Sequence, residues 1–555
     1  MNKTPAKWTV MIHLAGNNNL AEESVFALTE MQKVGSNKSM TVVAQLETSV
    51  SEGDMFLIRR KNGPGKLSED RQADEGTLSA RVITGAKTGA QQPPSRAAVI
   101  MDFVRKGIAK GRIVADTYKS KNPGLGAEAD DQQDANRLLL VLSGHGSGTI
   151  GDFLAEDGDS ARTNLTIPAL KTMLGKIREE DLGNKKKIDI LGMDSCLMSM
   201  AEVCFALCDS VSLLIGAEGF EPMAGWPYAS ILRDVNQSTR GADVISDQDV
   251  KDLAKKIVSS YIEYYTDYQA ANVSVDQSAC DLSQCENLKN AVKILADTLK
   301  KRLKDPDAEK ARNAILLAHW EAQPYKSEQY VDLFDFCNLL KDKDPRKDVR
   351  QACQNVMNVI GGTKNLSAAE RREAKTAAPE FQSVKEPFVL MSCYSGGLVQ
   401  YSYGLSIYFP WATIPSDLEG YKKLDFPRAT HWADFLDVYL DVTKRRPRDQ
   451  KQIKLENTLL SRAEQDRKEE RVRKGFQLSS GFRNGDNSRN GDNSKNGDNS
   501  KNGDNSKALA NAIGSMRNPA TDFPRTPPCA QKQTTTSKDT TKPAGKVTAT
   551  VKKHR

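Results

Sequence analysis

The chain has 555 residues, room for two or three domains, and a hydrophobic share of 38%, so part of it is expected to build no core. Its net charge of +7 is unevenly placed: Lys444–Arg555 carries 26 Lys and Arg against 12 Asp and Glu, a surplus of +14, which leaves residues 1–443 at −7. No run approaches 18 consecutive apolar residues, which argues against a membrane-spanning helix, and the nine cysteines show no C-x-x-C pair, which argues against a zinc site or a disulfide framework.

In chain order, Trp8–Leu14, Met40–Leu46, Leu138–Leu142, Ile188–Leu191 and Leu213–Ala217 read as short, uniformly apolar strands. Helical patterns at Glu22–Lys33, Ala98–Ala109, Ile167–Glu180 and Leu197–Leu207 lie between them. Apolar strands alternating with helices predict an α/β fold whose mostly parallel central sheet is flanked by helices, with the site at the carboxyl ends of the strands. Residues 1–246 are expected to form this core. From 247 to 378 the pattern turns to long charged helices (Val250–Thr266, Cys285–Lys304, Arg346–Val359), read as a helical insertion or subdomain. Residues 379–443 return to strands, at Pro387–Cys393 and Tyr403–Phe409, and to a closing helix at Trp432–Val442, read as completing the core, although the pattern alone fits a separate domain nearly as well.

Residues 444–555 form a basic, low-complexity tail. Four tandem copies of Asn-Gly-Asp-Asn-Ser followed by Arg or Lys run from Asn484 to Lys507. A unit with no apolar residue to bury cannot offset the entropy of ordering, so the tail is expected to be disordered. It offers positive charge to an anionic partner, a nucleic acid or an acidic protein, although a solvating linker is the favoured reading. The N-terminus lacks a long apolar segment and cleavage site, and a cytoplasmic location and a monomer are expected.

Two turns carry the chemistry. In LLLVLSGHGSG a strand runs into Ser143-Gly144-His145-Gly146; in KKIDILGMDSCLMSMAEV another runs into Asp194-Ser195-Cys196. If both strands belong to the parallel sheet, His145 and Cys196 emerge at one edge as a base and a nucleophile. A helix starting at Cys196 would favour the thiolate. The N–H groups of Gly146 and Cys196 could form an oxyanion hole. The other histidines, His13, His319, His431 and His554, read as core or surface residues.

These two blocks are similar to the His and Cys blocks of the clostripain-related cysteine peptidases, a branch of the caspase-like group. WTVMIHLAGNNNLAEES, GAEGFEPMAGWPY and GLSIYFP resemble further ordered segments of that family, so the likeness runs over about residues 8–443. The resemblance implies a caspase-like sandwich and a cysteine endopeptidase with Cys196 as nucleophile and His145 as base, cutting peptide or protein substrates after Arg or Lys. It also implies Asp194 as an acid of the substrate pocket, although this residue could equally cap a helix, and Trp226 as a substrate-binding residue; Glu218 or Glu221 could stand in for a pocket acid that the family has and this chain lacks. The family's acid before Gly-Trp is absent, since Met223-Ala224 precede Gly225-Trp226. Self-processing at Arg162, within Asp152–Asn164, is a further implication. No cofactor is required; the acids of that loop (Asp152, Glu156, Asp157, Asp159) could bind calcium, though a solvated acidic loop is the favoured reading. The alternative to the peptidase is a catalytically silent module that recruits partners through its basic tail.

Overall fold

A computed structural model describes residues 8–443, except 38, 50–51, 61–79, 84–94, 121–136, 150–152, 155–164, 185, 240–243, 272, 327–328, 363–378, 383 and 411–416. The repeat tail, Arg162 and the acids Asp152, Glu156, Asp157 and Asp159 lie outside the described residues.

Among the described residues the strands of the main sheet are β1 (Trp8–Ala15), β2 (Met40–Ser49), β3 (Glu52–Leu57), β4 (Ala80–Ile83), β5 (Arg137–Ser143), β6 (Ile188–Asp194), β7 (Val211–Gly216), β8 (Val275–Asp281) and β11 (Val389–Ser395). They lie in the order β11-β8-β7-β6-β5-β1-β2-β3-β4. The five central strands, β2-β1-β5-β6-β7, are mutually parallel, and the flanking strands on both sides are antiparallel. Parallel neighbours need crossovers that cover both faces with helices, which is why β1 and β6 are mostly apolar and buried at every position.

The core divides on the two faces. One face packs α1 (Ala21–Gln32), α5 (Tyr228–Ser238) and α6 (Asp247–Thr266) through residues such as Ala27, Leu232 and Ile257. The opposite face packs α2 (Arg96–Ser120), α3 (Ile167–Lys176), α4 (Ala201–Leu207), α7 (Cys285–Arg302), α8 (Ala308–Glu321), α9 (Leu333–Lys343), α10 (Lys347–Gly361) and the closing helix Trp432–Thr443. Each large aliphatic side chain buried in these clusters contributes roughly 1.5–3 kcal/mol. Local sequence sets several helix starts: Thr166 accepts from the Ala169 N–H before α3, and Ser246 and Asp249 form a reciprocal capping box on α6.

One expectation changes in form. Val275–Asp281 falls within the stretch read as helical, yet β8 is a strand inserted between β7 and β11, so residues 247–378 are threaded into the main sheet. Its sequence, VDQSACD, is polar at four of seven positions and shows no apolar run, but all seven residues are buried. Distant groups satisfy them: Asp276 accepts from the Glu218 and Gly219 N–H groups, and Gln277 donates to Glu221. A second, small sheet joins β12 (Ser406–Tyr408), β10 (Tyr330–Asp332) and β9 (Pro324–Tyr325), in that order. No helix among the described residues is long and apolar enough to cross a membrane.

Candidate active site

The strand register fixes where the two chemical turns meet. β5 and β6 are parallel neighbours, and Ser143 pairs with Asp194 as the last rung of their ladder. His145 and Cys196 each follow two residues later, so both leave the sheet at the same edge on adjacent strands. A further bond, from the Gly144 N–H to the Asp194 carbonyl at 3.1 Å, holds the two turns together beyond the ladder.

The His145 loop is anchored from both ends. Its carbonyl accepts from the Leu154 N–H at 2.7 Å, and the Ser147 carbonyl accepts from Lys326 Nζ and the Tyr330 hydroxyl, both at 2.8 Å. His145 Nε2 lies 2.6 Å from Asn19 Oδ1. An amide oxygen only accepts, so Nε2 carries the proton and Nδ1 of the neutral ring holds the lone pair available as a base. Asn19 belongs to the turn between β1 and α1; its neighbour Asn18 accepts from the Leu20 N–H.

Cys196 sits in a tight turn. The structure corrects the expected helix start: α4 begins at Ala201, because Leu197 takes a left-handed conformation (φ +63°) and Ser199 bonds to the Ala217 carbonyl instead of continuing a helix. Left-handed backbone at a leucine stores strain, of order 1 kcal/mol or more, that the surrounding packing must hold. The Leu197 N–H to Gly219 carbonyl bond at 2.9 Å supplies part of that restraint. The thiol is half-buried and accepts from the Glu221 N–H at 3.3 Å. Burial, reinforced by the Glu221 and Asp194 carboxylates, pushes it up to about 12, so the resting sulfur is a thiol.

Gly146 lies directly against this turn. A Cβ at Gly146 would stand 2.2 Å from the Cys196 carbonyl oxygen and 3.1 Å from its nitrogen, a space only glycine fits. Among the described residues neither the Gly146 nor the Cys196 N–H donates to another backbone carbonyl. Two such unclaimed amides side by side suit a developing oxyanion.

The residues expected to form the substrate pocket separate into two groups. Asp194 accepts from the Tyr228 hydroxyl at 2.6 Å and lines a narrow cleft with Ser143, Gly144, Met223, Ala224, Gly225 and Glu23. Burial pushes its carboxyl above the usual range, against the hydrogen bonds from Tyr228 and Ser143 that favour the charge. It does not cap a helix, since Cys196 and the four residues after it are non-helical. Glu221 lies against Asp194; burial and that neighbour push its carboxyl well above the usual range, and its Oε1 accepts from Trp226 Nε1 at 3.3 Å and Gln277 Nε2 at 3.0 Å. Trp226 is buried beneath β6, where a Cβ on Gly192 would meet its ring at 2.8 Å; it orients Glu221 and does not line the cleft. Glu218 lies elsewhere. It is fully buried beside Asp276 and Asp332, accepts from the Gly404 N–H at 2.6 Å, and ties the end of β7 to the segment before β12.

Sequence reasoning missed Asn19, Tyr228 and Gln277 as partners of the site; the Asn17-Asn18-Asn19 run directly after the first strand was the available signal for Asn19. Among the described residues no group of His, Cys, Asp and Glu is arranged to hold a metal ion. The other described histidines are structural residues, His13 buried beside Glu47 and Gln45, His319 stacked on Phe409 and His431 bonded to Asp297, and His554 lies outside the described residues.

Fold and site together define an α/β protein that presents a thiol and an imidazole at the carboxyl edge of a parallel sheet. The model of peptidase family C11, the clostripain family, matches residues 127–439, a span that contains both His145 and Cys196, and the chain belongs to that family. It is 22% identical to clostripain of Hathewaya histolytica over 362 residues, covering 56% of this chain and 66% of that protein. Similar solved structures include a secreted C11 cysteine protease from Bacteroides thetaiotaomicron in complex with an irreversible peptide inhibitor (14% identity, TM-score 0.44, 77% of this chain and 99% of that one). Another is an inactive zymogen C11 protease from Parabacteroides distasonis (16% identity, TM-score 0.46, 78% and 99%).

Proposed function

We propose that the chain is a cysteine endopeptidase that hydrolyses peptide bonds after Arg or Lys through Cys196 and His145. The observation that carries this reading is the Ser143–Asp194 register pair, from which base and nucleophile each follow two residues on. In this mechanism His145 Nδ1 takes the thiol proton, the sulfur attacks the scissile carbonyl, and the oxyanion is met by the Gly146 and Cys196 N–H groups. The imidazolium then protonates the leaving amine, and water hydrolyses the thioester with His145 again acting as base.

Asp194, two residues before the nucleophile and in the wall of a narrow cleft, supports the preference for a basic side chain. Because Glu221 and Asp194 both oppose ionisation of Cys196, a cationic substrate group bound among them also eases formation of the thiolate. Self-processing at Arg162 follows from the same preference, acting on a segment that comes shortly after His145 in the sequence.

The test compares full-length wild-type and Cys196→Ala protein. Labelling by an arginyl chloromethyl ketone peptide at Cys196, and a second chain in the intact mass that Cys196→Ala lacks, are the expected results. Absence of both labelling and turnover in the wild type would instead favour a silent recruiting module.

A further inference from the structure

The family's second pocket acid is missing from the usual stretch of chain, where Met223 and Ala224 stand before Gly225-Trp226. The cleft that holds Asp194 nevertheless has another carboxylate in its wall. Glu23, in the first turn of α1, lines it together with Met223, Ala224 and Gly225. We propose that Glu23 supplies the selecting charge for a basic side chain in this cleft, a role moved from the segment after the nucleophile to the helix after the first strand. The proposal rests on the reading of the chain as a peptidase that cuts after Arg or Lys.

The two acids are not equivalent. Asp194 is buried, and its Oδ2 already accepts from the Tyr228 hydroxyl at 2.6 Å. Glu23 is half-buried and, among the described residues, has neither a cationic partner nor a hydrogen-bond donor. It is an unpaired carboxylate at a cleft wall. Its longer side chain can follow a guanidinium or an ammonium group, and a cation arriving there gains a charge-assisted hydrogen bond without breaking an existing one. Partial shielding from water makes that pair stronger than one on an open surface. The position is also held in place: Ser24 bonds back to the Leu20 carbonyl at 2.8 Å, and Ala27 packs into the core below.

The experiment uses full-length wild-type, Glu23→Gln, Glu23→Asp and Glu22→Gln proteins with two fluorogenic peptides that differ only in arginine or citrulline before the cut. Citrulline keeps the shape of arginine and removes its charge. Glu23→Gln should lower kcat/KM for the arginine peptide at least tenfold and leave the citrulline peptide unchanged, with Glu23→Asp intermediate and the exposed neighbour Glu22→Gln like wild type. Retention of the wild-type arginine preference in Glu23→Gln, or an equal fall on both peptides, would overturn the proposal. Wild-type protein that cleaves neither peptide, or cleavage that survives Cys196→Ala, would instead remove the peptidase reading itself.

Discussion

Nε2 of His145 donates to Oδ1 of Asn19 at 2.6 Å, and this bond decides which ring nitrogen is free to serve as a base. The two residues are 126 positions apart in the chain and meet because β1 lies next to β5 in the sheet. The turn after β1 therefore reaches across to the loop after β5.

If Asn19 orients the imidazole, Asn19→Ala should lower kcat by about tenfold or more while KM changes little, within the range typical of a positioned base. Asn19→Asp keeps the acceptor and adds a negative charge that favours the imidazolium. The acid limb of the pH–rate profile should then move to higher pH. A profile unchanged in both variants would mean that the bond is incidental.

The thiol's elevated pKa predicts slow alkylation by small neutral reagents. With Cys196 pushed up to about 12, the thiolate fraction at neutral pH is minute and rises about tenfold per pH unit, so iodoacetamide labelling should climb through pH 10 without levelling off. Asp194→Asn removes one of the opposing charges and should speed labelling at pH 8 several-fold. A plateau near pH 8 in the wild type would contradict the resting state described above.

Gly146→Ala should lower turnover at least a hundredfold, because the added methyl would collide with the Cys196 carbonyl 2.2 Å away and displace one of the two amides offered to the oxyanion. Far-ultraviolet circular dichroism and the thermal midpoint report whether the fold persists. Gly175→Ala, where a Cβ meets nothing within 4 Å, is the matched control and should behave as wild type.

Glu202 makes a stability prediction independent of catalysis. It is buried in the first turn of α4 and accepts from the Tyr408 N–H and the Tyr421 hydroxyl, both at 2.9 Å, yet burial pushes its carboxyl from 4.5 up to about 7. A folded-state pKa above the unfolded one means that its contribution is fully present below about pH 4.5 and is lost as pH rises through about 7. That loss amounts to about 3 kcal/mol. In urea unfolding, the stability gap between wild type and Glu202→Gln should shift by about 2–3 kcal/mol in favour of the variant between pH 5 and pH 8. A gap independent of pH would show that Glu202 is already charged in the folded state.

The five central strands, most of the helices, and the His145 and Cys196 turns at their ends were legible from sequence. The reason is local: a parallel strand covered on both faces must be apolar throughout, and a glycine-flanked turn shows itself within a few residues. The charge split was equally plain, since it needs only counting. β8 was not legible, because Asp276, Gln277 and Ser278 are buried only by virtue of partners 56 to 126 residues away. The helix expected at Cys196 failed for a related reason: Leu197 and Ser199 find their hydrogen bonds at Gly219 and Ala217, and those bonds outcompete a helical turn.

Tertiary structure alone decided the assignments within the pocket. Side by side in sequence, Glu218 and Glu221 looked interchangeable, yet the fold sends one to Gly404 and the other to Asp194. Glu23 carried no signal of its own, and the asparagine run that holds Asn19 did not say which residue it would meet. The sheet order sets β1 beside β5, and with it the start of α1 beside the edge that carries the His145 and Cys196 turns. Chemistry at a strand end is written in adjacent residues; the partners that orient it and select its substrate come from whichever strand is the spatial neighbour.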